Sequence, residues 1–397
     1  MRAPLDGIRV LDLGQIYQGG YAGLLLSYLG ADVIKIEPPW GENVRTRTED
    51  GKPPQFQMLN ATKRSVTLDL KSDDGKDALL DLVEKADVLF ENFSQGKMED
   101  LGLGYDVLSG VNPQLIYGHG SGYGDTGPYA DYPAMDLTIQ AMSGVMETTG
   151  RPDGPPTKAG PAVADFIGAV HLVAGITSAL YKRERTGEGE YIDVGMFDTI
   201  YPTLTSPISA WARESDAPPR TGNRHSGLSI APYNAYEVED GYVAIICVAE
   251  RHWESLAREM DREDLIGVEK YSSKAKRAEH MEEIDGMIED WLEGRKKDEV
   301  VERLLDANVP TAEVQTIEDI VTDDQLAERG MLNYLDNMSE GKEQIPVPGM
   351  PIKFENGEEP TIERAPELGE HTDEVLSQVA GYDTDRIDDL TSETVSD

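Results

Sequence analysis

One acidic residue in the middle of the chain stands where a carboxylate could do chemistry. Residues 150–161 are dense in glycine and proline, so this segment is expected to form a loop rather than a helix or a central strand. Asp165 follows the loop and opens an apolar run, 166–181, whose length and small residues predict a helix packed on all sides. Asp165 is therefore expected to be the N-cap of this helix or to lie in its first turn. The helix dipole and free N–H groups at that end stabilise an ionised carboxylate.

Two roles for Asp165 are compatible with this position. Aspartate is among the preferred N-cap residues, so the side chain could serve the helix alone. A carboxylate held beside a glycine-rich loop could equally act as a nucleophile. The local pattern leaves both roles open.

The composition of the 397 residues excludes several classes of protein. The single cysteine, Cys247, rules out an internal disulfide framework and fits a reducing compartment. A formal net charge of −39 argues against nucleic acid or an anionic membrane as a partner. The first residues show no apolar signal segment, and no stretch is expected to reach the length of a transmembrane helix. We therefore expect a cytoplasmic protein.

Strand-like and helix-like segments alternate through the first third of the chain. Parallel strands need such crossover helices, so the order predicts an α/β fold with a doubly wound, Rossmann-like sheet. A hairpin turned at Asp240-Gly241 and three helical segments then predict a smaller α+β domain. The predicted division is a large Rossmann-like domain at 1–213, a linker at 214–227, a small α+β domain at 228–325, and a return linker with the C-terminal part of the large domain at 326–397.

Familiar ligand motifs are absent or lack their context. Residues 122–127 match G-x-G-x-x-G after a predicted strand, but Pro128 follows and no apolar helix opens at the third glycine, as a dinucleotide site requires. The sequence contains no phosphate-binding P-loop motif. Nor does it contain a histidine, cysteine and carboxylate cluster with metal-ligand spacing, so no metal site is expected.

Segments spread over nearly the whole chain resemble the class III CoA-transferases, the family of formyl-CoA:oxalate and carnitine CoA-transferases. They are, in order, PLDGIRVLDLG, LGADVIKIEPP, NATKRSVTLDL, ADVLFENF, GYGDTGPYAD, DLTIQAMSG, GRPDGPPTKAG, ERTGEGEYIDVGM and APELGEHTDEVL. The resemblance implies a Rossmann-like large domain with a small domain and two chains interlocked as a homodimer. It implies CoA thioesters as substrates, with no permanently bound cofactor. It also implies that Asp165 is the nucleophile.

The expected mechanism indicates which other residues complete the site. Gln15 would orient the acyl group, N–H groups near Gly144 would stabilise the developing oxyanions, and Arg224 and His225 would bind the far carboxylate of the acceptor acid. Glycine-rich turns at the ends of strands, with Lys or Arg nearby, suit a phosphate-bearing ligand. The residues expected to contact CoA are Gln15, Ile16, Tyr17, Arg45, Lys63, Arg64, Asn92, Phe93, Lys97 and Asp136.

Departures from the family pattern bear on the substrate. Pro38 stands where the formyl-CoA transferases carry an arginine, Gln15 and Tyr17 replace their first-loop histidine and glutamine, and 224–231 lacks their tetraglycine loop. A formyl-CoA:oxalate or carnitine type of reaction remains an alternative. The preferred hypothesis is a succinyl-CoA donor with mesaconate or a similar dicarboxylate as acceptor.

A second alternative is a 2-methylacyl-CoA racemase, because those enzymes resemble this family and share the aspartate. They pair it with a histidine whose position is held here by Met135. Methionine cannot exchange a proton, so the sequence favours the transferase.

The excess of acidic residues leads to a stability prediction. With 75 Asp and Glu against 36 Lys and Arg, the surface is expected to suit high salt, as in a halophilic protein. Thermal melting in a KCl series should give a higher Tm in molar salt than in dilute buffer. A higher Tm in dilute buffer would contradict the halophilic interpretation.

Overall fold

Six parallel strands form the central sheet of the computed structural model, which describes residues 3–357 and 359–393. Numbered in chain order, they are β1 (Arg9–Asp12), β2 (Asp32–Glu37), β3 (Arg64–Thr67), β4 (Val88–Glu91), β5 (Ile116–Ser121) and β6 (Glu190–Gly195). Their spatial order is β3-β2-β1-β4-β5-β6, which is the order of a doubly wound dinucleotide-binding sheet. The predicted α/β, Rossmann-like fold is thereby confirmed.

Both faces of the sheet are covered, which explains why its central strands are rich in buried apolar residues. In the register of the three central strands, Leu11 of β1 pairs with Ile34 of β2 and with Leu89 of β4, and all three side chains are fully buried. One apolar core lies between the sheet and the two helices that follow β1 and precede β6. A second core on the opposite face includes residues of the C-terminal segment, among them Leu376 and Tyr382.

The helices of this part of the chain connect consecutive strands. Up to β6 they are α1 (Ile16–Tyr28), α2 (Pro54–Leu59), α3 (Asp73–Val83), α4 (Lys97–Asp100), α5 (Tyr105–Val111), α6 (Asp136–Met142), α7 (Val145–Thr148) and α8 (Val163–Thr186). They are followed by α9 (Met196–Ile200) and α10 (Thr205–Ala212), joined by a 3-10 turn at Tyr201–Leu204.

Helix α8 is longer than the sequence predicted, and it corrects one expectation. Its 24 residues are long and apolar enough to cross a membrane by length and composition, whereas no such stretch was expected. The polar residues 182–186 extend the helix beyond the apolar run, and Arg183 among them is buried against Asp87. Half of the most apolar window of α8 is buried inside the protein, where it packs on the sheet.

The described residues divide into two compact units. The first comprises residues 1–139, 161–201 and 321–397, and the second comprises 140–160 and 202–320. These limits differ from the predicted domain limits, because 140–160 clusters with the second unit and the second unit begins at 202. The predicted linker at 214–227 lies within that unit.

The second unit is built on an antiparallel sheet with the strand order β7-β8-β9. Its elements are β7 (Tyr233–Val238), β8 (Gly241–Ile246), α11 (Glu250–Glu259), α12 (Lys274–Glu279), α13 (Met281–Leu292), α14 (Lys297–Asp306), β9 (Thr311–Glu313) and α15 (Ile317–Ile320). The predicted hairpin at Asp240-Gly241 is confirmed by the antiparallel pairing of β7 and β8. Cys247 is buried in the core of this unit, as expected.

The C-terminal segment returns to the first unit. It contains α16 (Asp324–Glu328), the antiparallel pair β10 (Leu332–Asp336) and β11 (Gln344–Pro348), α17 (Thr372–Val375), a π-helical turn at Leu376–Ala380 and α18 (Thr384–Glu393). His371 explains how the segment is held. Its backbone N–H donates to Ser65 O at 2.9 Å, and its Nδ1 accepts from the Ser65 N–H at 3.2 Å. His371 thus fastens the segment to β3.

Candidate active site

The loop between β1 and α1 lies at the point where the strand order of the sheet reverses, which is where ligands bind to this kind of fold. Asp12 Oδ1 accepts from the Gly14 N–H at 2.8 Å, and Lys35 Nζ donates to Gly14 O at 2.6 Å. A side chain at position 14 would place its Cβ 2.6 Å from Gly19 Cα, so only glycine fits. Both polar groups of the Gly14 backbone are therefore fixed from inside the sheet.

Gln15 and Ile16 complete this loop. Gln15 is tied to Asn92 after β4, since Asn92 Oδ1 accepts from the Gln15 N–H at 2.6 Å and Asn92 Nδ2 donates to Gln15 O at 3.0 Å. Asn43 Nδ2 donates to Gln15 Oε1 at 2.7 Å, which fixes the direction of the side chain. Ile16 has a φ of +56°, a strained conformation that its N–H bond to Glu42 Oε2 helps to hold.

A cavity of about 440 Å³ opens beside this loop, and Asp165 lines it. The loop contributes Gln15 and Ile16, and the other lining residues come mainly from the segments after β4 and β5. A second cavity of about 170 Å³ lies over the ends of β1 and β2 and is mostly apolar, with Trp40 and Lys71 in its wall. Both cavities are lined by Gln15, Phe93 and Lys97. A ligand with two ends could therefore occupy both.

Asp165 is the third residue of α8 and does not cap the helix. The N-cap position is Ala162, which has no side-chain cap, and Asp136 Oδ1 accepts from the Ala164 N–H at 2.8 Å. Asp136, the first residue of α6, thus satisfies a first-turn donor in place of Asp165. Within the described ranges the Asp165 carboxylate accepts no hydrogen bond, and the residue is 8% exposed.

The electrostatic surroundings of Asp165 correct the expectation that the helix end keeps it ionised. Burial raises the pKa of Asp165, the nearby charge of Asp136 raises it further, and the opposing charge of Arg47 lowers it, with a result of about 7. Desolvation penalises the charged form more than the first turn of the helix favours it. A carboxylate with this pKa exchanges between both forms at neutral pH, as catalytic groups often do.

Arg47 is held by an aromatic residue that the sequence assigned to CoA. Arg47 Nη1 donates to the Tyr17 hydroxyl at 2.7 Å, and its guanidinium carbon lies 5.1 Å from the centre of the Tyr17 ring. The Tyr17 ring stacks at 6.2 Å on Phe166, the residue after Asp165. Through Tyr17 and Phe166, the guanidinium of Arg47 is held near Asp165.

Comparison with known proteins identifies the family. The model described as CoA-transferase family III matches residues 5–372. The chain belongs to CoA-transferase family III. It is 39% identical over 396 residues to a succinyl-CoA:mesaconate CoA-transferase of Haloarcula hispanica, with 97% of this chain and 98% of that protein covered. It is 36% identical over 364 residues to an acetyl-CoA:oxalate CoA-transferase of Acetobacter aceti, with 90% and 91% covered.

A solved structure agrees with this assignment. A CAIB/BAIF family protein from Brucella suis superposes with a TM-score of 0.83 at 34% identity, covering 96% of this chain and all of that one. The protein is therefore an enzyme of the CoA-transferase class, and the parallel sheet described above is the fold of this family.

Three cationic side chains that the sequence predicts to bind CoA form hydrogen bonds within the protein. They are Lys63, Arg45 and Arg64. Lys63 Nζ donates to Asp12, Gly20 O and Asn60, which uses all three of its donors. Arg45 is buried and forms two hydrogen bonds to Glu37. Arg64 pairs with Asp32 at the amino ends of β2 and β3, the edge of the sheet opposite to Gln15. These contacts hold the sheet and its loops, and a contact of the three cations with CoA stays a prediction.

Gly144, Arg224 and His225 belong to the second unit. Gly144 has a φ of +89° and precedes α7. Arg224 Nη2 pairs at 2.7 Å with the buried carboxylate of Asp285, which also accepts from the Tyr236 hydroxyl at 2.7 Å. The Nε and Nη2 of Arg224 are therefore engaged by Asp285 within this unit, and binding of the acceptor acid by Arg224 stays a prediction. His225 Nδ1 lies 3.0 Å from Ser229 Oγ.

Sequence reasoning overlooked several residues at the site. Gln18 lines the Asp165 cavity, Lys71 lies over the Trp40 ring at 5.4 Å beside the smaller cavity, and Arg47 approaches Asp165. The only sequence signal for Lys71 was its place just after the third strand, at the ligand edge of the sheet. His171, within the apolar run that predicted this helix, is exposed on α8 rather than buried.

The structure brings together a cluster of three residues that their sequence spacing did not indicate. It consists of His119, Asp125 and Asp193, and one ring nitrogen and two carboxylate oxygens of these side chains lie within 4.8 Å of one another. His119 Nδ1 lies 2.8 Å from Asp125 Oδ1, and Asp193 Oδ2 accepts from the Asp125 N–H at 3.0 Å. Burial lowers the pKa of His119, but the hydrogen bond to Asp125 and the charge of Glu91 raise it to about 9. The hydrogen bonds of Asp125 to His119 and Asp193 account for the close approach of these three residues.

The pKa of Asp165 leads to a prediction for the pH profile. If the carboxylate form reacts, kcat/KM should fall as the pH drops below about 7. Asp136→Asn keeps a side-chain oxygen for the Ala164 N–H and removes a negative charge, so the acidic limb should move down by roughly one pH unit. Arg47→Gln, which removes the positive charge, should move the limb up. An acidic limb that is unmoved in both variants would contradict the assignment.

Proposed function

We propose that this enzyme transfers CoA from an acyl-CoA donor to a small carboxylic acid through a covalent intermediate on Asp165. The observation that carries the proposal is the state of Asp165. It lies buried on the wall of the largest cavity at the ligand edge of the sheet, and Asp136 caps the helix in its place. A carboxylate left without a structural task at such a position is suited to be a nucleophile.

The proposed chemistry exchanges acyl bonds of similar energy. The Asp165 carboxylate attacks the donor thioester, which forms a mixed anhydride and releases the CoA thiolate. The thiolate then attacks the aspartyl carbonyl of the anhydride, which forms an aspartyl-CoA thioester and releases the donor acid. The acceptor carboxylate attacks this thioester, and the thiolate released attacks the acceptor acyl group of the new anhydride. Asp165 is regenerated as a carboxylate, and CoA leaves on the acceptor.

The two cavities support a single position for CoA. The smaller cavity is mostly apolar, with Trp40, Lys71 and Lys97 in its wall, so it suits an adenine ring and its phosphates. We propose that the nucleotide end lies there. Gln15, Phe93 and Lys97 line both cavities, so the pantetheine arm would pass them and deliver the thioester to Asp165.

A racemase is the weaker alternative at this site. Such an enzyme needs two groups that exchange protons on opposite sides of the substrate α-carbon. Met135 lines the cavity beside Asp165 at the position where those enzymes carry histidine. Its thioether cannot supply the second base.

Succinyl-CoA and a dicarboxylate such as mesaconate are the proposed donor and acceptor. Support comes from the 39% identity to the Haloarcula hispanica enzyme, whose name states that pair. A free second carboxylate on each substrate also suits a site where Lys97 lines the Asp165 cavity and the charge of Arg47 reaches Asp165. An oxalate-dependent reaction is the alternative, since the Acetobacter aceti enzyme is 36% identical.

We further propose that two copies assemble as an intertwined homodimer in the cytoplasm, as the family resemblance implies. Apolar side chains in the first unit support this assembly, because Leu137, Val170 and Tyr181 are exposed on α6 and α8. Exposed apolar side chains on neighbouring elements are typical of surfaces that bind another protein.

The proposal is tested by changing the nucleophile alone. Asp165→Ser should abolish CoA transfer from succinyl-CoA to mesaconate while the Tm and the oligomeric state stay as in the wild type, because Asp136 still caps α8. Asp73→Ser is the matched control, since Asp73 is an exposed residue in the first turn of α3. It should keep full activity.

The same assay separates the alternatives when the wild type is given a panel of substrates. Transfer to mesaconate or malate at rates well above those to oxalate or carnitine supports the proposed pair. Full activity in Asp165→Ser would refute the covalent mechanism. Transfer to oxalate alone would refute the substrate assignment, and α-proton exchange into 2-methylacyl-CoA without any transfer would favour the racemase.

A further inference from the structure

Gln18 is a buried side chain that the catalytic scheme above does not use. It is the third residue of α1, only 1% of its surface is exposed, and it lines the same cavity as Asp165. Its Nε2 has no hydrogen-bond partner among the described residues. An amide nitrogen carries two donors, and a buried donor without a partner is costly to a folded protein.

Two glycines make room for the Gln18 amide. A Cβ at Gly120 of β5 would lie 2.9 Å from Gln18 Nε2, and a Cβ at Gly168 of α8 would lie 2.8 Å from it. Gly168 is three residues after Asp165, so it lies on the same side of α8, one turn further along. The amide is thus wedged between the end of β5 and the turn of α8 that follows the proposed nucleophile.

A second buried glutamine, Gln57, has a side-chain amide whose nitrogen and oxygen are both hydrogen-bonded. Gln57 is 3% exposed, and its Nε2 donates to Lys52 O at 2.8 Å and to Asn337 Oδ1 at 3.0 Å. Its Oε1 accepts from the Met338 N–H at 2.9 Å. The amide of Gln57 is satisfied at both ends, whereas the nitrogen of Gln18 is buried without a partner among the described residues, in a side chain that lines the Asp165 cavity.

We propose that Gln18 is a further catalytic residue whose amide nitrogen donates to the oxyanion formed when Asp165 attacks the acyl-CoA thioester. In that step the carboxylate oxygen forms a bond to the acyl carbon, and the carbonyl π electrons move onto the acyl oxygen. The Gln18 N–H stabilises this negative charge until the C–S bond breaks and the CoA thiolate leaves. Rotation about the last side-chain bond exchanges the nitrogen and oxygen of the amide, so the donor can turn to the cavity. This inference rests on the proposed function.

The test replaces Gln18 by a side chain of similar length that cannot donate. Gln18→Met should lower kcat for CoA transfer by about 10²- to 10³-fold, as removal of one oxyanion donor does in other enzymes. The KM for the acyl-CoA should stay within about threefold, because the bond forms only as the reaction proceeds. The Tm should be unchanged or higher, since no hydrogen bond of the free protein is lost.

Gln57→Met is the matched control. It removes a buried amide that has three hydrogen bonds within the protein and lies outside the two cavities. Its Tm should fall while kcat per folded enzyme stays at the wild-type value. The Gln18 variant should thus lose rate and keep its stability, whereas the Gln57 variant should lose stability and keep its rate. Gln18→Leu serves as a second variant with the same expected result.

Two outcomes would overturn the inference. One is a kcat of Gln18→Met close to that of the wild type, as expected if the amide binds only a water molecule. The other is a loss of Tm as large as that of Gln57→Met, as expected of a structural residue. Failure of the proposed function is distinguishable from both, because the wild type would then show no CoA transfer that depends on Asp165.

Discussion

The loop that forms the active site depends on a buried ion pair between Asp12 and Lys63. Their side chains are completely buried, with Lys63 Nζ 2.8 Å from Asp12 Oδ2, while Asp12 Oδ1 holds the Gly14 N–H. Gly23 of α1 leaves the space for this pair, since a Cβ there would lie 2.3 Å from Asp12 Oδ2. Removal of one partner of a buried pair typically costs about 3–5 kcal/mol, a large share of the roughly 5–15 kcal/mol that stabilises a domain. The chain has few basic residues, and Lys63 is one whose contacts hold the loop in position.

With the loop fixed, residues that neighbour the proposed nucleophile make the hydrogen bonds that hold the rest of the site. Asp136 satisfies the first turn of α8, so Asp165 is left with its charge unpaired and its pKa raised to about 7 by burial and by Asp136. Asn92 and Asn43 hold Gln15, which leaves the amide nitrogen of that side chain for a ligand. Under the proposed mechanism, polar groups that cost stability in the free protein are thereby kept for substrate, as in preorganised catalytic sites.

The fold could be predicted from the sequence because it leaves a local pattern, whereas the local pattern at Asp165 left its role open and only the family resemblance implied a nucleophile. The alternation of apolar strands with helices predicts the sheet, and the loop at 150–161 followed by Asp165 marks a helix start. The contacts of individual side chains leave no such pattern. Nothing near Arg45 indicates that Glu37 accepts from both its Nε and its Nη2, and nothing near Arg224 indicates that its partner is Asp285, which is 61 residues away. The cap from Asp136 and the partnerless amide of Gln18 likewise depend on tertiary packing.

The most direct measurement of the central claim is to find the residue that carries the covalent intermediate. The wild-type enzyme is mixed with succinyl-CoA without an acceptor, treated with hydroxylamine, digested with trypsin and mapped by mass spectrometry. An anhydride or thioester on Asp165 should give a single hydroxamate in the peptide between Lys158 and Lys182, and this mark should be missing from Asp165→Ser. A hydroxamate in any other peptide, or none under conditions where the wild type transfers CoA, would contradict the account.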